Sequence, residues 1–137
     1  MEPPPKVFTV EEANQLLSQV APLVQQLQAL QGSIVTTNQQ LDEAVEKLAQ
    51  GNGYPLREIK DQVTRLTEHQ LRLVEAFQSA LQQLESLGCF LKDLHLGLID
   101  FYTLKGGELV FLCWRLGEEQ IRFWHRVDDG FGGRQPL

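Results

Sequence analysis

Cysteine is scarce in this chain of 137 residues, which contains only Cys89 and Cys113. Two cysteines allow at most one disulfide bond, so a small fold held together by several disulfides is excluded. In a reducing compartment such residues are typically buried thiols. Long apolar runs are also missing, since none approaches the roughly 18 to 20 residues that cross a bilayer. The start, Met1-Glu2-Pro3-Pro4-Pro5-Lys6, does not resemble a secretory leader. We therefore predict a cytoplasmic protein with no membrane partner.

The chain has no excess of positive charge. Its 12 basic and 18 acidic side chains give a formal net charge of -6, which disfavours nucleic acid and anionic lipid as partners. Four of the seven arginines nevertheless lie after residue 88. Because arginine suits bidentate contacts with anions, a local anion site in this segment is compatible with the total charge.

Recognised catalytic and metal-binding motifs are missing as well. The sequence has no P-loop, no dinucleotide-binding glycine motif, no H-E-x-x-H and no C-x-x-C. It therefore predicts neither a metal nor a cofactor, and it favours a protein without enzymatic activity. With 42% hydrophobic and 22% charged residues, the composition is that of a folded globular chain.

Two long amphipathic segments occupy the first 88 residues. Thr9 and Glu12 fit a capping box at a helix start. Apolar residues then recur at alternating steps of four and three, first to residue 48 and again over 56–87. We predict helices over about 9–50 and 56–87, joined by a turn at 51–55. They should form a long antiparallel, coiled-coil-like hairpin over 1–88.

Polar residues interrupt this repeat at one level of the hairpin. The predicted register places Gln70 opposite Ile34, between Gln31 and Asn38. Such a layer has a structural interpretation, since polar residues in a helix seam fix the register. It also has a functional one, a polar ligand site between the helices. The structural interpretation is favoured because no charged group accompanies the amides.

A second apolar stripe follows the helices beside the main seam. A two-helix hairpin buries one seam per helix, so a further stripe must be covered by something else. We predict a homodimer through this stripe, with the chain's own sheet as the alternative cover. A protein partner is the other use of such a surface. The stripe consists of Leu16, Leu23, Leu30, Leu71, Val74 and Leu81.

Short β-rich runs separated by glycine replace the heptads after Gly88. We predict a small antiparallel β-sheet over 89–137 with an ordered glycine-rich C-terminal tail. The fold class is therefore α+β, and hairpin and sheet form one continuous structural domain. The predicted register of the last two strands places Arg115 opposite Arg122, on an outer face that also carries Trp124. It places His125 on the inner face, against the helices.

Charged, aromatic and imidazole side chains in this last third are the candidate ligand-binding residues. The alternatives for them are structural: the aspartates could pair with arginines, the histidine could be a hydrogen-bonded core residue, and the tryptophan could stack on an arginine. No catalytic residue can be named. The candidates are Asp93, Asp100, Arg115, Arg122, Trp124, His125 and Arg134.

Several short motifs are distributed over most of the chain. They are Thr9-x-Glu11-Glu12-Ala13-Asn14, Lys92-Asp93, Gly97-Leu98-x-Asp100-Phe101, Leu112-Cys113-Trp114-Arg115-Leu116-Gly117-Glu118, Trp124-His125 and Gly130-Phe131-x-Gly133-Arg134-x-Pro136-Leu137. In these motifs the chain resembles an uncharacterised prokaryotic family, domain of unknown function 2203. That resemblance implies a prokaryotic origin and brings no assigned activity and no catalytic residues.

Two functional hypotheses follow from the sequence. The favoured one is a non-enzymatic homodimeric scaffold, in which the helical hairpin is a docking arm and the Arg/Trp-bearing β end binds an anionic ligand. The alternative is a small metal- or anion-dependent enzyme, or a small-molecule sensor, that uses the Asp, His and Arg residues of the last third.

Overall fold

The computed structural model describes residues 5–51 and 53–137. Helix α1 spans Val10–Gln50 and helix α2 spans Leu56–Ser86, which confirms both predicted helices to within a residue. Residue 52 of the predicted turn and residues 1–4 of the predicted hairpin range lie outside the described part. Among the described residues, no helix is long and apolar enough to cross a membrane.

Helix α1 begins at the predicted capping box. The Glu12 amide donates to Thr9 Oγ1 at 3.1 Å, and the Thr9 amide donates to Glu12 Oε1 at 2.9 Å. These two bonds satisfy amides that have no partner within the helix. The hydrogen bonds from Thr9 hold the pKa of the Glu12 carboxyl below its usual value.

Five strands follow the helices and form one antiparallel sheet in sequential order. The predicted α+β class is confirmed. The C-terminal tail forms a short 3-10 turn at Phe131–Gly133 and then pairs with the preceding strand, so it folds back onto the sheet. The strands are β1 (Phe90–Asp93), β2 (Leu98–Lys105), β3 (Glu108–Arg115), β4 (Phe123–Arg126) and β5 (Gln135–Pro136).

The pairing of β2 with β3 assigns side chains to two faces of the sheet. Partners along these strands include Ile99 with Trp114 and Asp100 with Cys113. Because side chains alternate along a strand, the first face carries Ile99, Phe101, Leu112 and Trp114, and the second face carries Asp100, Phe111, Cys113 and His125. The Phe8 ring, just before α1, packs edge-on against Phe101 of the first face at 5.3 Å.

The predicted register between β3 and β4 is wrong by one residue. Phe111 pairs with His125 and Leu112 with Trp124. Trp124 therefore lies on the first face and His125 on the second, the reverse of the prediction. Arg122 precedes β4 and does not face Arg115.

Side-chain bonds explain this change of register. The segment between the strands, residues 116–122, is too long for a tight hairpin turn, and the Trp114 indole donates to the Glu118 carbonyl within it at 2.9 Å. The Ile121 amide donates to Asn14 Oδ1 of helix α1 at 2.7 Å. Ile121, just before Arg122, is therefore bonded to a partner outside the β3–β4 ladder.

The chain divides into two compact units. One comprises the residues up to 26 together with 80–137, and the other comprises 27–79. The first contains the whole sheet and the beginning of α1, with Val20, Val24 and Leu84 fully buried. The division falls within both helices, whereas the boundary expected near residue 88 separates helix from strand.

The second unit contains the predicted polar layer. Gln70 Nε2 donates to the Ile34 carbonyl at 3.0 Å and to Asn38 Oδ1 at 2.6 Å. The apolar repeat on α1 predicts Asn38 and Val45 in the seam between the helices. In the structure the preceding residues, Thr37 and Ala44, are buried instead, and Val45 is 52% exposed.

The stripe predicted to form a dimer interface is only partly covered. In the second unit, Leu71 is 59% exposed, and Leu30 and Val74 are half-buried. In the first unit, Leu16, Leu23 and Leu81 are half-buried.

Candidate active or binding site

Three side chains with metal-binding or acid–base groups lie close together on the second face of the sheet. Asp100 lies on β2, Cys113 on β3 and His125 on β4, so each comes from a different, consecutive strand. None is more than 3% exposed. One donor atom from each residue lies within 4.8 Å of the other two. The hydrogen-bonded sheet therefore holds a carboxylate, a thiol and an imidazole together in the interior.

The hydrogen bonds of His125 define its protonation. Nδ1 lies 2.8 Å from the Arg126 carbonyl oxygen. A carbonyl only accepts hydrogen bonds, so Nδ1 carries a proton. Nε2 lies 3.0 Å from Asp100 Oδ2. If Nε2 and the carboxylate both lacked a proton, two lone pairs would face each other, so the pair must share one proton or a cation between these two atoms.

Asp100 is held in an environment that opposes its charge. Burial raises the pKa of the Asp100 carboxyl, while the charge and hydrogen bond of His125 act in the opposite direction. Its second oxygen, Oδ1, is buried and has no hydrogen-bond partner within the described residues. A buried carboxylate oxygen of this kind is costly, and such atoms in native structures call for an explanation.

Cys113 is a protonated thiol in this setting. Burial raises the pKa of the Cys113 thiol to about 12, and the neighbouring Asp100 charge adds to the effect. Both ring nitrogens of His125 are already engaged, so the imidazole is not free to take the thiol proton. The arrangement therefore differs from that of an activated cysteine nucleophile.

A small cavity of about 100 Å³ adjoins the three residues. Besides the three central residues, its walls combine apolar side chains with two charged ones, the Lys92 ammonium and the Asp129 carboxylate. The Lys92 ammonium lies 4.6 Å from the ring centre of Phe111 and 5.5 Å from that of Phe90. Besides the three central residues, the cavity is lined by Leu98, Phe111, Val127, Phe131, Lys92, Asp129 and Gly130.

Arg134 holds the C-terminal tail in place, and Phe131 of this tail lines the cavity. Its Nη2 donates to both carboxylate oxygens of Glu118, at 2.7 and 2.9 Å, and to the Cys113 carbonyl at 3.4 Å. The guanidinium also stacks on Phe123 at 4.0 Å and on Phe131 at 4.8 Å. These contacts fix Phe131 beside the cavity.

The other candidates predicted from the sequence lie elsewhere. Asp93 Oδ1 accepts the Leu96 amide at 2.9 Å and so stabilises the turn between β1 and β2. Arg115 lies over the Phe131 ring at 5.9 Å. Arg122 is exposed. Trp124 lies on the first face, with Lys105 at 5.2 Å and Arg126 at 5.4 Å from its ring centre.

Of the seven candidates, the structure brings Asp100 and His125 together and places Arg134 next to their cavity. Two residues of the site were not among the candidates: Cys113, which the sequence suggested only as a buried thiol, and Lys92. The signal for Cys113 was the Gly106-Gly107 turn, because a two-residue hairpin loop there places Cys113 opposite Asp100.

These features define an α+β protein with a buried Asp–Cys–His cluster on one face of its sheet. The chain belongs to the family described as an uncharacterized conserved protein, DUF2203, whose family model matches residues 6–137. This match confirms the resemblance given by the sequence motifs. Comparison with curated proteins found no match, and neither did comparison with solved structures.

Proposed function

We propose that this protein binds a small ligand in the cavity on the second face, and that the Asp100–His125 pair is its functional centre. The observation that carries the proposal is a buried carboxylate with one oxygen facing an imidazole and the other without a partner. Of the two hypotheses drawn from the sequence, this supports the enzyme or sensor that uses an Asp/His cluster.

The energetic cost of the pair supports a functional role. Burying a carboxylate and an imidazole costs free energy that their mutual attraction only partly offsets. Apolar residues of similar size would fill the same positions without that cost. Strongly perturbed titratable groups beside a cavity are typical of functional sites.

The size of the cavity limits the ligand. At about 100 Å³ it is smaller than the roughly 150 Å³ apolar cavity that accommodates benzene. The ligand, or the part of it that enters, therefore contains only a few non-hydrogen atoms. The proton that Asp100 and His125 share is available for exchange with a polar group of such a ligand, which is the requirement for acid–base chemistry.

A screen of small polar fragments by NMR tests this proposal. We expect hits that shift the amide signals of Leu98, Phe111 and Val127, and we expect Asp100→Asn to weaken them at least tenfold. The matched control is Asp93→Asn, on the same part of the sheet but outside the cavity lining. Hits that bind equally well to Asp100→Asn, or the absence of any hit near the cavity, would contradict the proposal.

A second candidate function is that of the homodimeric scaffold, favoured by the 59% exposure of Leu71 on α2. We propose that the apolar stripe joins two copies of the chain in a coiled-coil-like arrangement and that the protein acts in the bacterial cytoplasm. Two buried thiols that form no disulfide support a reducing compartment.

Leu30→Glu with Leu71→Glu should give a monomer by light scattering, whereas Gln39→Glu should not. If the double variant kept the mass of a dimer, the stripe would not be the dimer interface.

A further inference from the structure

We propose that Asp100, Cys113 and His125 bind one divalent transition-metal ion of the zinc class, with a coordination position left open toward the cavity. This inference rests on the proposed function, because it names the chemical class of ligand that the buried centre takes.

The donor set is the first observation in its favour. One carboxylate oxygen, one sulfur and one imidazole nitrogen lie within 4.8 Å of one another. Zinc is typically bound by these three donor types, and zinc sites with three protein ligands keep a fourth position for water or substrate. The cavity beside the cluster provides the space for that position.

The hydrogen bonds around the donors are a second and independent observation. Metal-binding histidines usually donate their other ring N–H to a carbonyl or carboxylate, which fixes the ring and directs the free nitrogen at the metal. His125 does this through Nδ1 and the Arg126 carbonyl, at 2.8 Å. Asp100 Oδ1 is buried and lacks a hydrogen-bond partner of good geometry among the described residues, and the group near enough to offer the carboxyl a hydrogen, the Cys113 thiol, belongs to the same donor set.

Charge balance gives a third argument. In the metal-free centre, one proton lies between His125 Nε2 and Asp100 Oδ2, and Cys113 keeps its thiol proton. A divalent ion displaces both protons to solvent. The two positive charges of the ion then balance one carboxylate and one thiolate, with a neutral imidazole. The loaded centre carries no net formal charge, which is the condition under which charged groups are best tolerated in a protein interior.

The same donors argue against magnesium and calcium. Those ions take oxygen ligands in sets of six or more, whereas this cluster supplies sulfur, nitrogen and a single carboxylate. Thiolate and imidazole ligands favour zinc, cobalt and related transition metals.

Metal titration of the full-length protein tests the inference. After treatment with a chelator, the protein is titrated with zinc chloride and, separately, with cobalt chloride, and bound metal is measured by elemental analysis. We expect one ion per chain and a sulfur-to-cobalt charge-transfer band. Asp100→Asn, Cys113→Ser and His125→Gln should each weaken binding at least tenfold, while Cys89→Ser and His69→Gln should leave it unchanged.

Wild-type protein provides a readout that does not depend on the folding of a variant. Zinc should slow the alkylation of Cys113 at least tenfold relative to that of Cys89, followed by mass spectrometry of peptides. The inference is overturned if folded wild-type protein binds no zinc at micromolar concentration, or if binding persists in all three variants. Fragment binding to the metal-free protein would then still support the broader proposal of a ligand site, so the two failures can be told apart.

Discussion

His125 Nε2 lies 3.0 Å from Asp100 Oδ2, two strands away on the same face of the sheet, and both side chains are almost fully buried. At this distance the two facing atoms cannot both lack a proton, because their lone pairs would then repel each other. The pair thus links the fold, which sets the separation, to the chemistry, which requires a proton or a cation between the two atoms.

Breaking this pair on one side should destabilise the protein strongly. We expect His125→Phe to lower the free energy of unfolding of the metal-free protein by about 3 kcal/mol, because it leaves a buried carboxylate without its partner. Adding Asp100→Leu should recover much of the loss, since no buried charge remains. Urea denaturation with a chelator present measures both. His69→Phe on the exposed surface of α2 is the control, and a loss below about 1 kcal/mol for His125→Phe would contradict the account.

The other cysteine gives a pH dependence of stability. Burial raises the pKa of the Cys89 thiol from 9.0 to about 11, so the folded state retains a proton that the unfolded state loses between these values. Its contribution to stability is full below pH 9 and is lost as the pH rises to 11. Wild type should therefore lose about 2 kcal/mol relative to Cys89→Ala over this range. A difference that does not vary with pH would show that the thiol is not so perturbed.

The Arg134–Glu118 ion pair should control access to the cavity. Glu118→Gln removes the negative charge that holds the tail, which weakens a partly buried, charge-assisted contact by about 1 to 2 kcal/mol and should raise the rate of Cys113 labelling roughly 5- to 30-fold. The rate is measured with a thiol reagent in a Cys89→Ala background. Glu108→Gln is the matched control, because its partner Arg126 and Glu108 itself are both more than half exposed. Equal labelling rates in the two variants would exclude this role.

The polar layer around Gln70 in the second unit should lower the free energy of unfolding relative to an apolar layer. Gln70 Oε1 is buried without a partner in the part of the chain that the structure describes. Gln70→Met keeps the volume and removes that atom, so we expect unchanged or higher stability, by up to about 1 kcal/mol. Thermal unfolding compares it with Gln39→Met on the exposed surface. A loss of more than about 1 kcal/mol would mean that the two bonds donated by Gln70 outweigh its unsatisfied oxygen.

The helices could be predicted because their signals are local. The capping box at Thr9 and the alternating apolar steps each involve residues within one or two turns, and the structure confirms the resulting helix limits. The details of the seam were less accessible: the alternating steps reach Asn38, whereas the neighbouring Thr37 is buried and its hydroxyl donates to the Ser33 carbonyl.

The candidate site could be predicted only in part, because its assembly depends on contacts far apart in sequence. Asp100 and His125 stood out by residue type, but their meeting depends on the register of β4. That register is fixed partly by Asn14, which accepts the Ile121 amide 107 residues away. A shift of one residue in a strand moves every side chain to the opposite face, so the predicted Arg115–Arg122 pair was wrong and His125 was placed on the face opposite Cys113.

The most direct test of the central claim is the nitrogen-15 NMR spectrum of the His125 imidazole, recorded with and without one equivalent of zinc. We expect a protonated Nδ1 in both samples and a large shift confined to Nε2 when zinc is added. An unprotonated Nδ1, or a ring spectrum that does not respond to zinc, would contradict it.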